Sequence, residues 1–245
     1  MASRGAKGLL HGGYWGMVRW GIAALVAAAL SLPACGSDYH YVSNRDQGAY
    51  FKVPDHWEVY GTGELLRTED ETLSDDEVDD RTASVWLRGF DGAEEPSPDH
   101  VLDATATSPR GYAEVRALSA SERDSFDYAE LRRAGFPLHD PTTGQALDPL
   151  ELAAQDPDGI VTVLEYDDED PLGTLDLGDG LRGVRLRTRI AVEDGEPVIL
   201  EQISVVDADT TRHYSFTVGC QRRCWDENES VIREIADSWT LKVQP

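Results

Sequence analysis

The sequence has few cysteines, few lysines and no long apolar run. Only three of its 245 residues are Cys, and only three are Lys, at positions 7, 52 and 242. The apolar segment at 20–32 is shorter than the roughly 20 residues that a membrane-spanning helix needs. The G-x-S-x-G motif of serine hydrolases is absent. These absences argue against a permanent transmembrane helix and against a common serine-hydrolase site.

Basic charge is also scarce once the N-terminus is set aside. Arg4, Lys7 and Arg19 are the basic residues of the first 34 positions, which hold no acid. The remaining chain has 19 basic and 46 acidic residues, a formal charge of −27. Nucleic acid and anionic headgroups bind through Lys and Arg, so neither is an expected partner. A well-solvated acidic surface is favoured, and a basic partner is the alternative.

Two acid-rich stretches lack the spacing of a calcium site. Residues 67–81 and 165–180 are dense in Asp and Glu, but neither fits the D-x-D-x-D-G frame with Glu at position 12 of an EF-hand. Dense like charge is typical of a solvated loop. The sequence therefore predicts loops at both places, and no metal site or cofactor is expected.

The first 35 residues have the three parts of an export signal. A basic segment is followed by the apolar segment 20–32 and then by Pro33, Ala34 and Cys35. The four residues Leu32-Pro33-Ala34-Cys35 resemble the lipobox of bacterial lipoproteins. The resemblance implies that Cys35 carries a diacylglycerol and becomes the new N-terminus. Two acyl chains anchor a protein stably, whereas one holds it only marginally. The alternative is an ordinary signal peptide with a free Cys35.

These signals predict three regions. Residues 1–34 form a lipoprotein signal peptide, residues 35–48 form a lipidated tether, and residues 49–245 form one extracytoplasmic domain. The expected location is the outer face of the cell membrane, reached through the anchor at Cys35.

The two other cysteines lie close together. Cys220 and Cys224 would be exported to an oxidising compartment, where neighbouring cysteines usually pair. A structural zinc site needs four ligands, and only His213 is near in sequence. The spacing is not that of a redox Cys-x-x-Cys site. We predict a disulfide that orders a corner between a strand and a helix.

Apolar periodicity predicts mostly strands, followed by one closing helix. The Asp-Gly pair at 194–195 predicts a hairpin, and Ser121 to Gly135 is predicted as one helix. Asp226 and Glu229 have capping-box spacing for the closing helix, whose apolar stripe ends at Trp239. The expected strands are 50–53, 83–90, 111–118, 160–166, 181–192, 197–207 and 212–220. The predicted fold class is α+β, an antiparallel β-sheet flanked by helices.

A row of arginines occupies one face of the strand at 181–192. Arg185, Arg187 and Arg189 alternate with apolar residues. They could form a stripe that binds carboxylate or phosphate. Pairing with Glu196 and Glu201 across the hairpin is the favoured interpretation.

Three features together resemble one family. They are the aromatic strand "YFKVPDHW" after the tether, the long central antiparallel strands, and the closing strand–helix–"ADSW"–strand unit. The chain is similar here to LpqN-type bacterial lipoproteins, which share the PsbP-like fold. The resemblance covers residues 49–60 and 181–243. It implies a sheet flanked by helices and a non-catalytic binding role, and it assigns no functional residue.

Three functions are compatible with the sequence. The favoured one is a membrane-anchored, non-enzymatic binding or adaptor domain with a protein partner in the cell envelope. The alternatives are a carrier of a small ligand or metal cation, and a hydrolase. A pocket deep enough for a ligand would favour the carrier, and a His–carboxylate cluster in a cleft would favour the hydrolase. A flat sheet with an exposed apolar patch would favour the adaptor.

Overall fold

The computed structural model describes residues 38–103, 105, 107–164, 174–193 and 195–242. The predicted signal peptide and Cys35 lie outside the described residues, as do 165–173 of the second acid-rich stretch. Within the described ranges, no helix is long and apolar enough to cross a membrane.

Antiparallel strands and short helices alternate along the domain. The strands are β1 (Tyr39–Asn44), β2 (Ala49–Pro54), β3 (Glu58–Tyr60), β4 (Val85–Asp91), β5 (Arg110–Ala117), β6 (Val161–Leu164), β7 (Thr174–Asp176), β8 (Arg182–Ile190), β9 (Val198–Val206), β10 (Arg212–Gln221) and β11 (Thr240–Leu241). The helices are α1 (Thr62–Glu69), α2 (Asp75–Ser84), α3 (Pro98–Leu102), α4 (Ala120–Ser125), α5 (Tyr128–Arg133), α6 (Pro149–Gln155) and α7 (Arg222–Ser238). The predicted α+β class with an antiparallel sheet is confirmed.

The strands form two sheets. The larger has the order β3-β4-β5-β10-β9-β8-β6, and β7 pairs with the same edge of β8 as β6 does. The smaller has the order β1-β2-β11. The hairpin expected at the Asp-Gly pair joins β8 to β9. Their register aligns Ile190 with Val198, so the connection is longer than a two-residue turn.

One face of the large sheet is closed by α7 and the small sheet. We call it the packed face. Phe216 of β10 is fully buried, and its ring lies 5.5 Å from Phe51 of β2 and 5.8 Å from Phe90 of β4. From α7, Ile232 and Ile235 are also fully buried. These side chains belong to the main hydrophobic core.

Trp239 follows α7 and is only partly buried. Its ring centroid lies 5.4 Å from that of Phe216 and 6.0 Å from that of Phe51. Val231 is likewise half-buried, whereas Ile235 is fully buried. The predicted stripe therefore faces the sheet, with the helix middle buried more deeply than its ends.

The opposite face of the large sheet is covered by the shorter helices. We call it the cavity face. Helices α1 and α3 lie over β4, where Gly89 permits the close approach. A Cβ atom there would lie 2.8 Å from Val101 and 3.1 Å from Leu65. On the other side, Phe126 and Leu131 pack over β8 and β9 in a separate small cluster.

Part of the expected tether and part of the first acid-rich stretch form regular structure. Residues 39–44 of the expected tether form β1, which pairs with β2 along its whole length. In the first acid-rich stretch, Ser74 caps α2 and exchanges hydrogen bonds with Glu77. Acids in a first helical turn are favoured by the positive end of the helix dipole. The local capping signal therefore outweighs the charge density.

The predicted helix boundaries also need correction. The segment 121–135 holds two helices rather than one, because Asp127 caps a second helix by accepting from the amides of Ala129 and Glu130. The closing helix begins at Arg222 and not at Asp226, directly after β10. The expected capping box is therefore wrong.

Candidate functional site

The cavity face holds a pocket of about 620 Å³. Its floor is β5, whose residues Arg110, Tyr112, Glu114 and Arg116 point to this face at every second position. One wall comes from α1 and α3. The other comes from the α4–α5 segment and the loop that follows it. A volume of about 300–1,000 Å³ is typical of small-molecule sites.

Arg110 closes one end of the cavity floor. It is 4% exposed, and its Nη1 atom donates to the carbonyl of Gly219 at 3.3 Å. Burial lowers the pKa of this guanidinium to about 10, while the nearby charges of Asp103 and Asp91 act in the opposite direction. Arg110 therefore remains protonated at neutral pH, and the carboxylates of Asp103 and Asp91 stabilise its charge.

The other end of the floor is acidic. Burial raises the pKa of Glu114, the charge of Glu69 raises it further, and Arg116 lowers it. Arg116 is 3.5 Å from Glu114 but makes a closer pair with Glu122 at 2.7 Å. Glu114 therefore shares Arg116 with Glu122, which lies closer to the guanidinium.

The middle of the floor has mixed polarity. Tyr112 pairs in register with Thr217 of β10, and both line the cavity. Burial raises the pKa of the Tyr112 phenol. Thr217 is 6% exposed. Its hydroxyl lies close enough to the Tyr112 phenol to lower the pKa of that phenol, but the two make no hydrogen bond of good geometry in the described part of the chain. Such a hydroxyl is available to a bound molecule.

The wall formed by α5 is held in place by two polar contacts. Arg132 pairs with the fully buried carboxylate of Asp148 at 2.7 Å and donates to both of its oxygens. Asp148 also caps α6 by accepting from the amide of Leu150. The side chain of Gln202 donates to the carbonyls of Arg132 and Ala134, at the end of α5. The cavity wall is therefore tied to both α6 and the sheet.

Two histidines make close polar contacts, but neither has a hydrolase geometry. Nδ1 of His100 is 2.7 Å from the buried carboxylate of Asp91, and Ser108 contacts that carboxylate rather than the imidazole. His213 is 2.8 Å from Ser204, and both are buried in the sheet. A nucleophile must face substrate and its base. These pairs instead serve packing and loop structure.

The predicted disulfide is present and lies away from the cavity. Cys220 and Cys224 are bonded, with Cα atoms 5.9 Å apart, and join the end of β10 to the first turn of α7. Both are buried on the packed face. Among the described residues, no cluster of three or more His, Cys, Asp or Glu side chains is arranged to hold a metal ion.

The arginine row is paired, as favoured from the sequence. Arg185 and Arg187 both bind the fully buried Glu201, Arg187 at 2.9 Å. Arg189 donates to Thr162 instead. Glu196, the other expected partner, pairs with Arg223 at 3.2 Å.

The cavity itself was not predicted, although β5 carries a signal for it. Tyr112, Glu114 and Arg116 alternate with Ala113 and Val115 in the sequence. An alternating strand in a sheet with one solvated face has this pattern. In the structure, short helices cover the polar face of β5 without packing directly on it. The space left between them is visible only in the tertiary structure.

Comparison with known proteins shows likeness of fold only. No protein-family model matches the chain, and no curated protein matches it. Among solved structures, the chain resembles the PsbP protein of a Synechocystis species at 13% identity and a TM-score of 0.45. That match covers 86% of this chain and 98% of the other.

LpqN of Mycobacterium tuberculosis, described as involved in cell envelope biogenesis, matches at 13% identity and a TM-score of 0.43, over 84% of this chain and 91% of LpqN. The yeast Ran-binding protein Mog1p matches at 10% identity and a TM-score of 0.36, over 84% and 96%. The resemblance to LpqN-type lipoproteins, and with it the PsbP-like fold, stays a prediction. At such low identity no ligand, partner or activity is transferred to this chain.

Proposed function

We propose that this protein is a lipid-anchored, extracytoplasmic binding domain that holds a small molecule in the cavity over β5. The cavity is the observation that carries the proposal. It has the volume of a small-molecule site, a largely apolar lining and a few polar groups on its floor. Among the functions weighed from the sequence, a carrier of a small ligand fits this geometry best.

A non-catalytic role fits the polar groups of the cavity. Glu114, Arg116 and Glu122 form an ion-pair network, and Thr217 has no base beside it. The two histidine contacts described above, at His100 and His213, are committed to loop and core structure. The proposal is therefore binding and release without a chemical step. A protein partner in the cell envelope, which would receive or deliver the ligand, stays a prediction.

The anchor and the cavity need separate tests. For the anchor, metabolic acyl labelling of the wild type and of Cys35→Ala is compared. Labelling of the wild type alone supports lipidation at Cys35. Equal labelling of both would remove Cys35 as the site and leave the cavity proposal untouched.

For the cavity, Leu87→Trp fills the floor from β4, where Leu87 is half-buried and faces the cavity. Leu177→Trp is the matched control, because Leu177 is 47% exposed and does not line it. The wild type and both variants are purified from envelopes, and extracted small molecules are compared by mass spectrometry. We expect a species that is present in the wild type and the control and depleted in Leu87→Trp. The same extract from all three would contradict the proposal.

A further inference from the structure

The lining of the cavity contains more acid than base. Apart from His139, its ionisable side chains include three arginines and five carboxylates. The arginines are Arg110, Arg116 and Arg133, and the acids are Glu69, Asp103, Glu114, Glu122 and Glu130. The lining therefore carries two negative charges that its own arginines do not balance.

The arginines of the lining are already paired with carboxylates. Arg116 pairs with Glu122 at 2.7 Å, and Arg133 pairs with Glu130 at 2.8 Å. Arg110 lies within the field of Asp103 and Asp91. Each cation thus has an acid beside it, so an anionic ligand would have to displace a carboxylate to reach one.

The surplus acids lie at one end of the cavity. Glu69 is exposed at the end of α1 and makes no ion pair or hydrogen bond within the described ranges. Glu69 and Glu114 both line the cavity, and the charge of Glu69 raises the pKa of Glu114. The C-terminal end of a helix also carries partial negative charge, so α1 adds to the attraction for a cation here.

The rest of the floor suits an apolar body with one polar contact. The ring of Tyr112 lies beside Glu114 on β5, and an aromatic face attracts an organic cation. The Thr217 hydroxyl is 6% exposed and lies on the same floor beside Tyr112. It makes no hydrogen bond of good geometry in the described structure, so it can turn towards a bound molecule. The charge of −27 on the exported chain would draw a cation towards the domain.

We propose that the cavity selects a cationic amphiphile, a molecule with an apolar body and one positively charged nitrogen, and that Glu69 and Glu114 hold the nitrogen. The inference rests on the proposed function and adds the class of ligand. Glu114 supplies a half-buried carboxylate at the inner end of the acidic region, and Glu69 supplies an exposed one at the mouth. The apolar body would lie along the floor towards Leu87 and the walls.

The test uses three probes that share an apolar body and differ in the head group. They are 4-phenylbutylamine, 4-phenylbutanol and 5-phenylvalerate, a cation, a neutral alcohol and an anion. Binding to the full chain in lipid nanodiscs is measured by equilibrium dialysis, with empty nanodiscs as the blank. We expect the amine to bind at least about tenfold more tightly than the other two, because only it gains the charge interaction.

Three variants locate the charge interaction. Glu69→Gln and Glu114→Gln should each weaken amine binding several-fold and leave binding of the alcohol unchanged. Glu71→Gln is the control, because Glu71 is exposed, two residues from Glu69, and does not line the cavity. It should leave both affinities unchanged. Melting temperatures of the variants confirm that each is folded.

The outcomes separate this inference from the proposed function. Equal affinity for the three probes, sensitive to Leu87→Trp, would leave the binding function in place and overturn the preference for a cation. If Glu71→Gln lost as much amine binding as Glu69→Gln and Glu114→Gln, the attraction would come from the overall negative charge of the surface. That result would also overturn the preference for a cation held by Glu69 and Glu114. No binding of any probe would overturn both proposals.

Discussion

The two faces of the large sheet differ in how they are covered. The packed face lies under one helix of 17 residues and a second sheet, and its neighbouring ring centroids lie 5.4–6.5 Å apart. The cavity face lies under helices of 5 to 10 residues, most of them with a side-chain N-cap, and retains about 620 Å³ of open space. A long amphipathic helix can follow a sheet continuously, whereas short capped helices leave gaps between their ends. The first face stabilises the domain, and the second is where we propose that a ligand binds.

The largest expected difference between the faces is in free energy of unfolding. Phe216→Ala on the packed face removes a fully buried ring that contacts three others. We expect a loss of about 3–5 kcal/mol, because a closed core cannot fill the void. Leu102→Ala on the cavity wall should cost less than about 1 kcal/mol, because Leu102 is already 46% exposed. Urea denaturation of both variants measures this difference, and equal losses would contradict it.

The next effect concerns the wall of the cavity. Arg132→Met removes the partner of Asp148, whose carboxylate is fully buried. Leaving a buried charge unpaired costs about 3 kcal/mol. The double variant Arg132→Met with Asp148→Leu should recover part of that loss, because it leaves no charge behind. Chemical denaturation of the single and double variants measures both. A single variant as stable as wild type would show that this pair does not hold the wall.

Acid should weaken the cavity face through His213. Burial lowers the pKa of this imidazole to about 3, with Arg116 acting in the same direction. The unfolded chain binds a proton near pH 6.5 and the folded chain does not, so stability falls as pH drops from about 6.5 towards 3. Between pH 6.5 and 5 the loss is about 2 kcal/mol. His213→Gln should show a shallower decline over this interval, measured by denaturation at each pH. If the stability of the wild type and of His213→Gln fell in parallel with pH, His213 would not be the source of the acid sensitivity.

A comparable loss is expected at the corner of the packed face. The loop closed by Cys220 and Cys224 is short, so the chain-entropy estimate for the disulfide is about 2 kcal/mol. The double variant Cys220→Ala with Cys224→Ala should lose at least that amount by urea denaturation. Thiol titration of the folded, non-reduced protein should detect neither sulfur, and two reactive thiols would contradict the bond.

The smallest effect, and the one of opposite sign, concerns the cavity floor. Thr217→Val replaces a buried hydroxyl with a methyl group of similar shape, and that hydroxyl makes no hydrogen bond of good geometry to any described residue. We expect unchanged stability or a gain of up to about 1 kcal/mol, together with weaker ligand binding. Ser215→Ala, at another buried position of the same strand, controls for the loss of a hydroxyl. A large destabilisation by Thr217→Val would show that the hydroxyl is structural.

The packed face was largely predictable from the sequence, and the cavity face was not. Ile232 and Ile235 repeat at helical spacing, and Cys220 and Cys224 are only four residues apart in the chain, so their placement follows from local pattern. The cavity depends on the distance between α1 and α5 across β5, which no local pattern encodes. The short caps at Ser74 and Asp127 were missed because the surrounding charge and the apparent continuity of the segment obscured them.

The measurement that tests the central claim most directly is photolabelling of the full chain in nanodiscs. An alkyl diazirine amine and the matching diazirine alcohol are cross-linked by light, and labelled peptides are mapped by mass spectrometry. The account predicts labels at residues that line the cavity, such as Leu102, Tyr112 and Phe136, which disappear in Leu87→Trp and persist in Leu177→Trp. Labels confined to β1 and β2, or unchanged labelling in Leu87→Trp, would contradict the claim that the cavity over β5 is the binding site.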